Sequence, residues 1–279
     1  MPELPEAEHT RGVLAALAVG RRIEGADVQD DPIVFDGRSP RWVREHLVGR
    51  RVVAAHRRGK YLWLELDRGP HPILHLGMTG TVRSRGDQPL RLSSSPKEID
   101  RAWPPRFTKL RLRFDDGGEL AFTNARRLGR VLFREAPREE APIGKLGFDP
   151  LTDLPSPAAF AQLLARRKRA VLKALLLDQG FSAGVGNWIA DEVLYQAGLD
   201  PRRRVESLSA AETKRLRVKL KHVIETAVRV DARKDAFPKR WLFHHRWGKD
   251  AEARTAEGER IEHLEIGGRT TAWVPSRQK

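Results

Sequence analysis

The residues best placed to do chemistry are the first six, Met1-Pro2-Glu3-Leu4-Pro5-Glu6. A Met followed by a small residue is commonly trimmed, which leaves Pro2 as the N-terminus with a secondary α-amine. A free α-amine has a reference pKa of about 7.7–8.0, against about 10.4 for a Lys side chain. Near pH 7 it is therefore neutral roughly 300 times more often than an ordinary Lys. A neutral amine attacks a sugar or carbonyl carbon and gives an imine-type adduct. The adjacent carboxylate, Glu3, is the kind of group that moves the protons. The same hexapeptide also reads as a helix start, with Pro5 in the first turn and Glu6 and Glu8 near the positive end of the helix dipole. Alone, it leaves both readings open.

A second constellation lies mid-chain, in Gly184-Val185-Gly186-Asn187. Glycines let backbone approach a ligand closely. Asn187 stands where the next helix begins, and helix N-terminal amides attract phosphate. A clamp on a nucleic-acid backbone and an ordinary interhelical turn capped by Asn187 both fit this pattern. Composition bears on the choice. The chain has 52 Lys plus Arg against 37 Asp plus Glu, a net charge of +15, which is the electrostatic footprint of a polyanion binder. Nucleic acid is the commonest such partner and an anionic membrane surface the alternative. No run of 18 apolar residues offers a transmembrane span. The N-terminus carries acids where a secretory signal carries Lys or Arg, so a cytoplasmic location with access to DNA is expected. There are no cysteines, which excludes disulfides, thiolate zinc sites and iron–sulfur clusters. The nine His residues show no metal-ligand spacing.

The elements that must position these residues fall into two patterns. Residues 5–18 read as an amphipathic helix, with Val13, Leu14 and Leu17 on one face and Gly20 just past its end. Strands follow. Residues 51–56 and 61–66 flank the basic turn Arg57-Arg58-Gly59-Lys60. Leu110, Leu112 and Phe114 alternate with Arg111 and Arg113 ahead of the hairpin turn Asp115-Asp116-Gly117-Gly118. This half predicts a β-sandwich with one docked helix over 1–141. Polar Gly86–Arg106 reads as a long loop. Proline-rich 142–155 reads as a linker, followed by a helical domain over 156–236. There, Ser156-Pro157 and the capping box Ser209-Ala210-Ala211-Glu212 open helices, the second strongly basic and running to about Val228. Arg166-Arg167-Lys168-Arg169 and Lys173 are expected on helix before the glycine turn, as a solvated face. Residues 237–279 return to short strands, with Trp241-Leu242-Phe243 and Ile261–Ile266 ahead of a hairpin at Gly267-Gly268. The fold class expected is α+β.

In chain order, Pro2-Glu3 with Glu6, Lys60, His75-Leu76-Gly77-Met78-Thr79-Gly80, Arg126-Arg127, Gly184-Val185-Gly186-Asn187 and Gly268-Arg269-Thr270-Thr271 resemble the formamidopyrimidine-DNA glycosylase/endonuclease VIII family of base-excision repair enzymes. The resemblance spans essentially the whole chain. It implies a helix-two-turn-helix element around Asn187 and a C-terminal hairpin that in many members is a four-cysteine zinc finger. Without cysteine, the hairpin must hold its shape by packing, with Trp241, Phe243, Trp273 and Val274 as candidates. This resembles the zincless finger of some members, and Phe237–His244 resembles the plant-type branch.

The resemblance further implies a bifunctional DNA glycosylase and AP lyase. Damaged double-stranded DNA is the implied partner and a monomer the implied state, with no metal and no cofactor. Pro2 is the implied nucleophile and Glu3 the proton donor. Lys60 assists β-elimination, and Arg269 grips phosphates and serves δ-elimination. Met78, Arg126 and Leu128 fill the space left by the flipped base, Leu128 standing where many bacterial members have Phe. Asn187 and Lys168 contact DNA. Arg229–Ala236 is a short connector where many bacterial members carry a longer loop over 8-oxoguanine, which favours formamidopyrimidines and hydantoins as substrates. A non-catalytic DNA-binding protein on the same scaffold is the competing reading. A metal-dependent nuclease is disfavoured because no Asp/Glu/His cluster stands out.

Overall fold

The computed structural model describes residues 2–85, 102–248 and 252–279, and the chain divides into two units, Met1–Lys145 and Leu146–Lys279. The first unit is built on strand alternation. In β6 (Thr108–Phe114), Leu110, Leu112 and Phe114 point inward and are buried. Arg111 and Arg113 point outward and meet carboxylates on the neighbouring strands, Arg111 with Glu119 at 2.8 Å and Arg113 with Asp27 at 2.8 Å. The period of two thus sorts core from surface. One antiparallel sheet orders β1 (Ile23–Val28), β6, β7 (Glu119–Thr123) and β5 (Thr81–Ser84). The other orders β2 (Val52–Arg58), β3 (Tyr61–Leu66), β4 (His71–His75) and β8 (Arg130–Arg134).

Leu62, Leu64, Leu74, Phe122 and Val131 lie in the core of this sandwich. Helix α1 (Leu4–Ala18) docks Leu14 and Ala18 into the same core, while Val13 and Leu17 are only partly buried at its edge. A second helix, α2 (Pro40–Leu47), was not expected from sequence. It is short, its apolar positions are few, and Ser39 Oγ caps it by accepting from Trp42 N–H at 3.2 Å. Register pairing of Arg58 with Tyr61 leaves Gly59-Lys60 as a two-residue hairpin turn. Of the expected loop Gly86–Arg106, residues 86–101 lie outside the described residues.

In the second unit Ser156 caps α3 (Pro157–Ala165), which is followed by α4 (Leu172–Leu177) and α5 (Asn187–Ala197). The Ser209–Glu212 capping box opens α6 (Ala210–Arg229). Strands β9 (Glu262–Ile266) and β10 (Arg269–Trp273) form the hairpin. The α+β class, with its sandwich, helical part and hairpin, is as the sequence predicts.

Three local expectations are corrected. Arg166–Arg169 are not helical, because α3 stops at Ala165 and the chain turns. Lys173 is helical but completely buried, so it is no surface cation. Residues Leu242–His244 form a 3-10 turn rather than a strand. That turn lets Trp241 and Phe243 converge on Trp188 and Phe237, with ring centroids 4.9 Å apart for Phe237–Phe243 and 5.2 Å for Trp188–Phe243. Val274 and Ala272 pack on Tyr195, Leu242 and Ile261, and Trp273 lies buried under the Arg202 guanidinium.

Candidate active site and nucleic-acid interface

Pro2 and Glu3 are both buried where α1 begins. Glu3 is the N-cap and forms a reciprocal capping box with Glu6. Its carboxylate accepts from the Glu6 backbone, and its own N–H donates to Glu6 Oε2 at 2.9 Å. The helix-start reading of the hexapeptide therefore holds, and the cap also fixes Pro2 and Glu3 in place. Burial, and then the facing Glu3, push the Glu6 carboxyl up to about 7. Near neutrality it exists in both protonation states, which suits it to exchange protons with its neighbours. From sequence Glu6 has a role only as a helix-start acid, not one in proton transfer. The signal was two carboxylates three residues apart in a first turn.

Lys60 is half-buried in the β2–β3 turn. The nearby Arg57 is buried and reaches across to α1. Its Nε donates to Glu8 Oε2 at 2.8 Å and its Nη1 to the Gly59 carbonyl at 3.0 Å. One guanidinium thus ties the turn carrying Lys60 to the helix that starts at Pro2-Glu3. His75, paired with Tyr61 across β3 and β4, is held neutral. Burial, then the charges of Lys60 and Arg130, lower it to about 4. In the sequence it stands only within the run His75–Gly80, yet it puts a neutral imidazole beside Lys60.

Met78 is half-buried in the turn after β4, and Arg126 and Leu128 are exposed between β7 and β8. Buried Asn124 joins the two loops. Its Nδ2 donates to the Leu76 carbonyl at 3.2 Å, and its Oδ1 accepts from Gly129 N–H at 3.2 Å. Gly77, at φ +63°, is required here: a Cβ would stand 2.5 Å from the Leu128 carbonyl carbon. Arg127, at φ +54°, turns back to grip Asp31 through two bonds, Nε to Oδ2 at 3.0 Å and Nη2 to Oδ1 at 2.9 Å. Burial would raise the Asp31 carboxyl, but the bonds from Arg127 and Lys109 outweigh it and hold it at about 2. With Arg127 so anchored, its neighbours Arg126 and Leu128 face solvent. The three expected space-filling side chains therefore come from two loops locked at their backbones.

In the second unit Gly184 takes φ +91° and Gly186, not Asn187, is the N-cap of α5. Asn187 is the first helical residue, and its side chain does other work. Nδ2 donates to the Thr270 carbonyl at 2.7 Å, and Oδ1 is buried without a hydrogen-bond partner. Asn187 thus binds the glycine turn to the hairpin one residue beyond Arg269. Arg269 is exposed where β10 begins, after the Gly267-Gly268 turn. Lys168 is exposed in the turn after α3.

Two further carboxylates of α5 hold the hairpin. Asp191 accepts from Lys173 Nζ, from Arg246 Nε at 3.1 Å and from Ala272 N–H at 3.2 Å. Glu192 accepts from Phe243 N–H at 2.8 Å, and burial pushes its carboxyl up to about 7. The sequence assigns neither residue a role, since nothing in the local pattern Ala190-Asp191-Glu192 marks the pair as buried. The zinc that the resemblance implies for many members does not fit here. The chain has no thiolate, and among the described residues no three His, Asp or Glu side chains stand together to hold a metal.

No helix among the described residues is long and apolar enough to cross a membrane. The formamidopyrimidine-DNA glycosylase N-terminal domain model matches residues 1–131, and the formamidopyrimidine-DNA glycosylase H2TH domain model matches residues 146–237. An Arabidopsis thaliana formamidopyrimidine-DNA glycosylase is 40% identical over 279 residues, covering 100% of this chain and 71% of the relative. The crystal structure of the MutM (Fpg) protein from Thermus thermophilus is similar at TM-score 0.76 and 32% identity, covering 99% of this chain and 98% of that one. A Lactococcus lactis formamidopyrimidine-DNA glycosylase bound non-covalently to DNA containing an AP site shares the fold at TM-score 0.79 and 23% identity, covering 99% of each chain. With both family models and a relative of this identity matching along its length, the chain belongs to the formamidopyrimidine-DNA glycosylase family, DNA glycosylases that carry AP lyase activity.

Proposed function

We propose that the chain excises oxidised bases from duplex DNA through a covalent imine formed by Pro2, followed by β- and δ-elimination. The observation that carries this reading is the N-terminal constellation itself. Pro2 and Glu3 are buried and fixed by the Glu3–Glu6 cap, and Arg57 ties the turn bearing Lys60 to the same helix. Removal of Met1 frees the Pro2 amine.

A damaged base is flipped out at a cost of a few kcal/mol, and Met78, Arg126 and Leu128 occupy the space it leaves. Pro2 N attacks C1′ as the base departs with a proton donated by Glu3. Ring opening gives an iminium, an electron sink that acidifies the C2′ proton. Loss of that proton, assisted by Lys60, breaks the C3′–O bond, and a second elimination breaks the C5′–O bond. Arg269 serves this last step and, with Asn187 and Lys168, holds phosphates.

The connector after α6 supports a lesion preference. Asp231 and Ala232 fold back onto the helix through backbone bonds to Val228 and Ala227, both at 2.9 Å. So short a connector gives little cover for a flipped 8-oxoguanine, and formamidopyrimidines and hydantoins are the preferred substrates. Borohydride trapping on a single-lesion duplex tests the imine. Wild type should become covalently linked to DNA, and intact mass should show loss of Met1. Pro2→Gly should lose most trapping, and Glu3→Gln should lose base excision more than cleavage of a preformed abasic site. Failure of wild type to trap would leave a non-catalytic DNA-binding protein. A trappable protein that retains Met1 would refute Pro2 as nucleophile.

A further inference from the structure

Residues 210–240 carry ten Lys and Arg against four Asp and Glu. α6 buries Leu216, Leu220, Val223, Ile224 and Ala227 on one face. The two acids of the helix are engaged, Glu212 with Arg203 at 2.7 Å and Glu225 with Lys221 at 3.6 Å. Lys219, Arg229, Lys239 and Arg240 have no carboxylate within ion-pair distance among the described residues. These cations are not merely scattered along the helix. Lys219, Arg229 and, from the segment beyond the helix, Arg240 surround His222. Burial and then these three charges hold its imidazole below the usual value, with Glu225 opposing them. The fold therefore brings like charges together and leaves them unneutralised, at an energetic cost that an anionic partner would remove.

We propose that this outer face of α6 is a second contact surface for the phosphate backbone of duplex DNA, separate from the residues assigned to the lesion. It rests on the reading that DNA is the substrate. Spacing fits a duplex strand. The ten steps from Lys219 to Arg229 span about 15 Å of helix, the rise of about four phosphates on one strand. A membrane fits less well, because an interfacial helix must present an apolar face to lipid and that of α6 is buried in the core. Single strands also fit less well, because α6 carries no Phe, Tyr or Trp on which successive bases could stack.

The triple variant Lys219→Gln/Lys239→Gln/Arg240→Gln, which leaves Arg229 of the connector intact, tests this, with an unchanged thermal melt as the check on folding. On a long undamaged duplex, the slope of log affinity against log salt should shrink by about 3, and affinity at 0.15 M salt should fall on the order of 100-fold. Single-turnover excision from a short lesion duplex at saturating enzyme should stay at the wild-type rate. In wild type, adding undamaged duplex should move the His222 NMR titration upward as its cationic neighbours are neutralised. An unchanged salt slope, an unmoved His222, or loss of binding to anionic phosphatidylserine vesicles with DNA binding intact would each overturn the proposal. Wild-type borohydride trapping on the same short duplex is scored separately, so failure of the catalytic reading is distinguishable.

Discussion

Asp191→Asn is expected to be among the most damaging single substitutions in the second unit. The carboxylate is buried with Lys173 and Arg246, whose side chains are 0% and 5% exposed, and it also accepts from Ala272 N–H. An amide cannot balance two buried cations. Breaking a buried pair costs about 3–5 kcal/mol, and the disturbed Ala272 bond adds about 1 kcal/mol. Against a typical total of about 5–15 kcal/mol, that is about a quarter or more of the stability. The melting temperature should fall on the order of 10–20 °C. Urea denaturation measures the free energy directly. The damage should be local in effect, because Asp191 holds β10, the strand that begins at Arg269. Below the melt, the variant should accumulate β-elimination product at the expense of δ-elimination product. Replacing all three charges, Lys173→Met/Asp191→Leu/Arg246→Met, leaves no orphan ion and should cost less than Asp191→Asn alone. A loss below about 1 kcal/mol for Asp191→Asn, or a triple variant worse than the single one, would refute the view that an ionic node anchors this hairpin.

The raised carboxyls of Glu6 and Glu192, both near 7 against a usual 4.5, make stability pH-dependent. The folded state holds protons there that the unfolded chain releases, so their stabilising effect is full below about 4.5 and lost as pH rises through 7. The contribution of these two groups to the urea midpoint should therefore fall between about pH 4.5 and 7 and level off above, and Glu6→Gln or Glu192→Gln should flatten that fall. Arg269→Ala should reduce the log–log salt slope of DNA binding by about one contact and weaken binding alike across sequences; no change would make Arg269 an ordinary surface cation. Activity should survive EDTA, since a chain without cysteine offers no thiolate zinc site; inactivation reversed by zinc would contradict this. Single-turnover rates should rank hydantoins and formamidopyrimidines above 8-oxoguanine opposite cytosine, and equal rates would end the connector argument.

What the sequence made legible follows the physics of each signal. Strand alternation in Leu110, Leu112 and Phe114 and the caps at Ser156 and Ser209 are local, and each was found where expected. The run Arg166–Arg169 was misplaced because a charged stretch without apolar periodicity does not say whether it is helix or turn. Lys173 was misread for a different reason. Its burial depends on Asp191, a residue 18 positions away, and no local pattern encodes that pairing. Trp241-Leu242-Phe243 has the composition of a strand, yet its rings are needed in one cluster with Trp188, which a turn supplies and alternation would not.

The same distinction explains why the hairpin was the hardest part to read. A metal finger announces itself through its ligands, whereas this one is held by one donor and two acceptor side chains spread over α5. Asn187 takes the Thr270 carbonyl, Asp191 takes Ala272 N–H and Arg246, and Glu192 takes Phe243 N–H. Two of these side chains, Asn187 and Asp191 one helical turn apart, bond to β10, the strand on which Arg269 sits, while Glu192 holds the turn at Phe243. Because Asn187 also stands in the glycine turn, any DNA contact made there is mechanically joined to the hairpin through a 2.7 Å bond. Removing the donor while keeping the shape, as in Asn187→Asp, leaves two oxygens facing each other and frees the Thr270 carbonyl. The expected result is a loss of DNA affinity larger than Arg269→Ala alone produces. It should be non-additive with Arg269→Ala, because the two residues act on the DNA through one connected element. Simple additivity of the two losses would show that turn and hairpin grip independently.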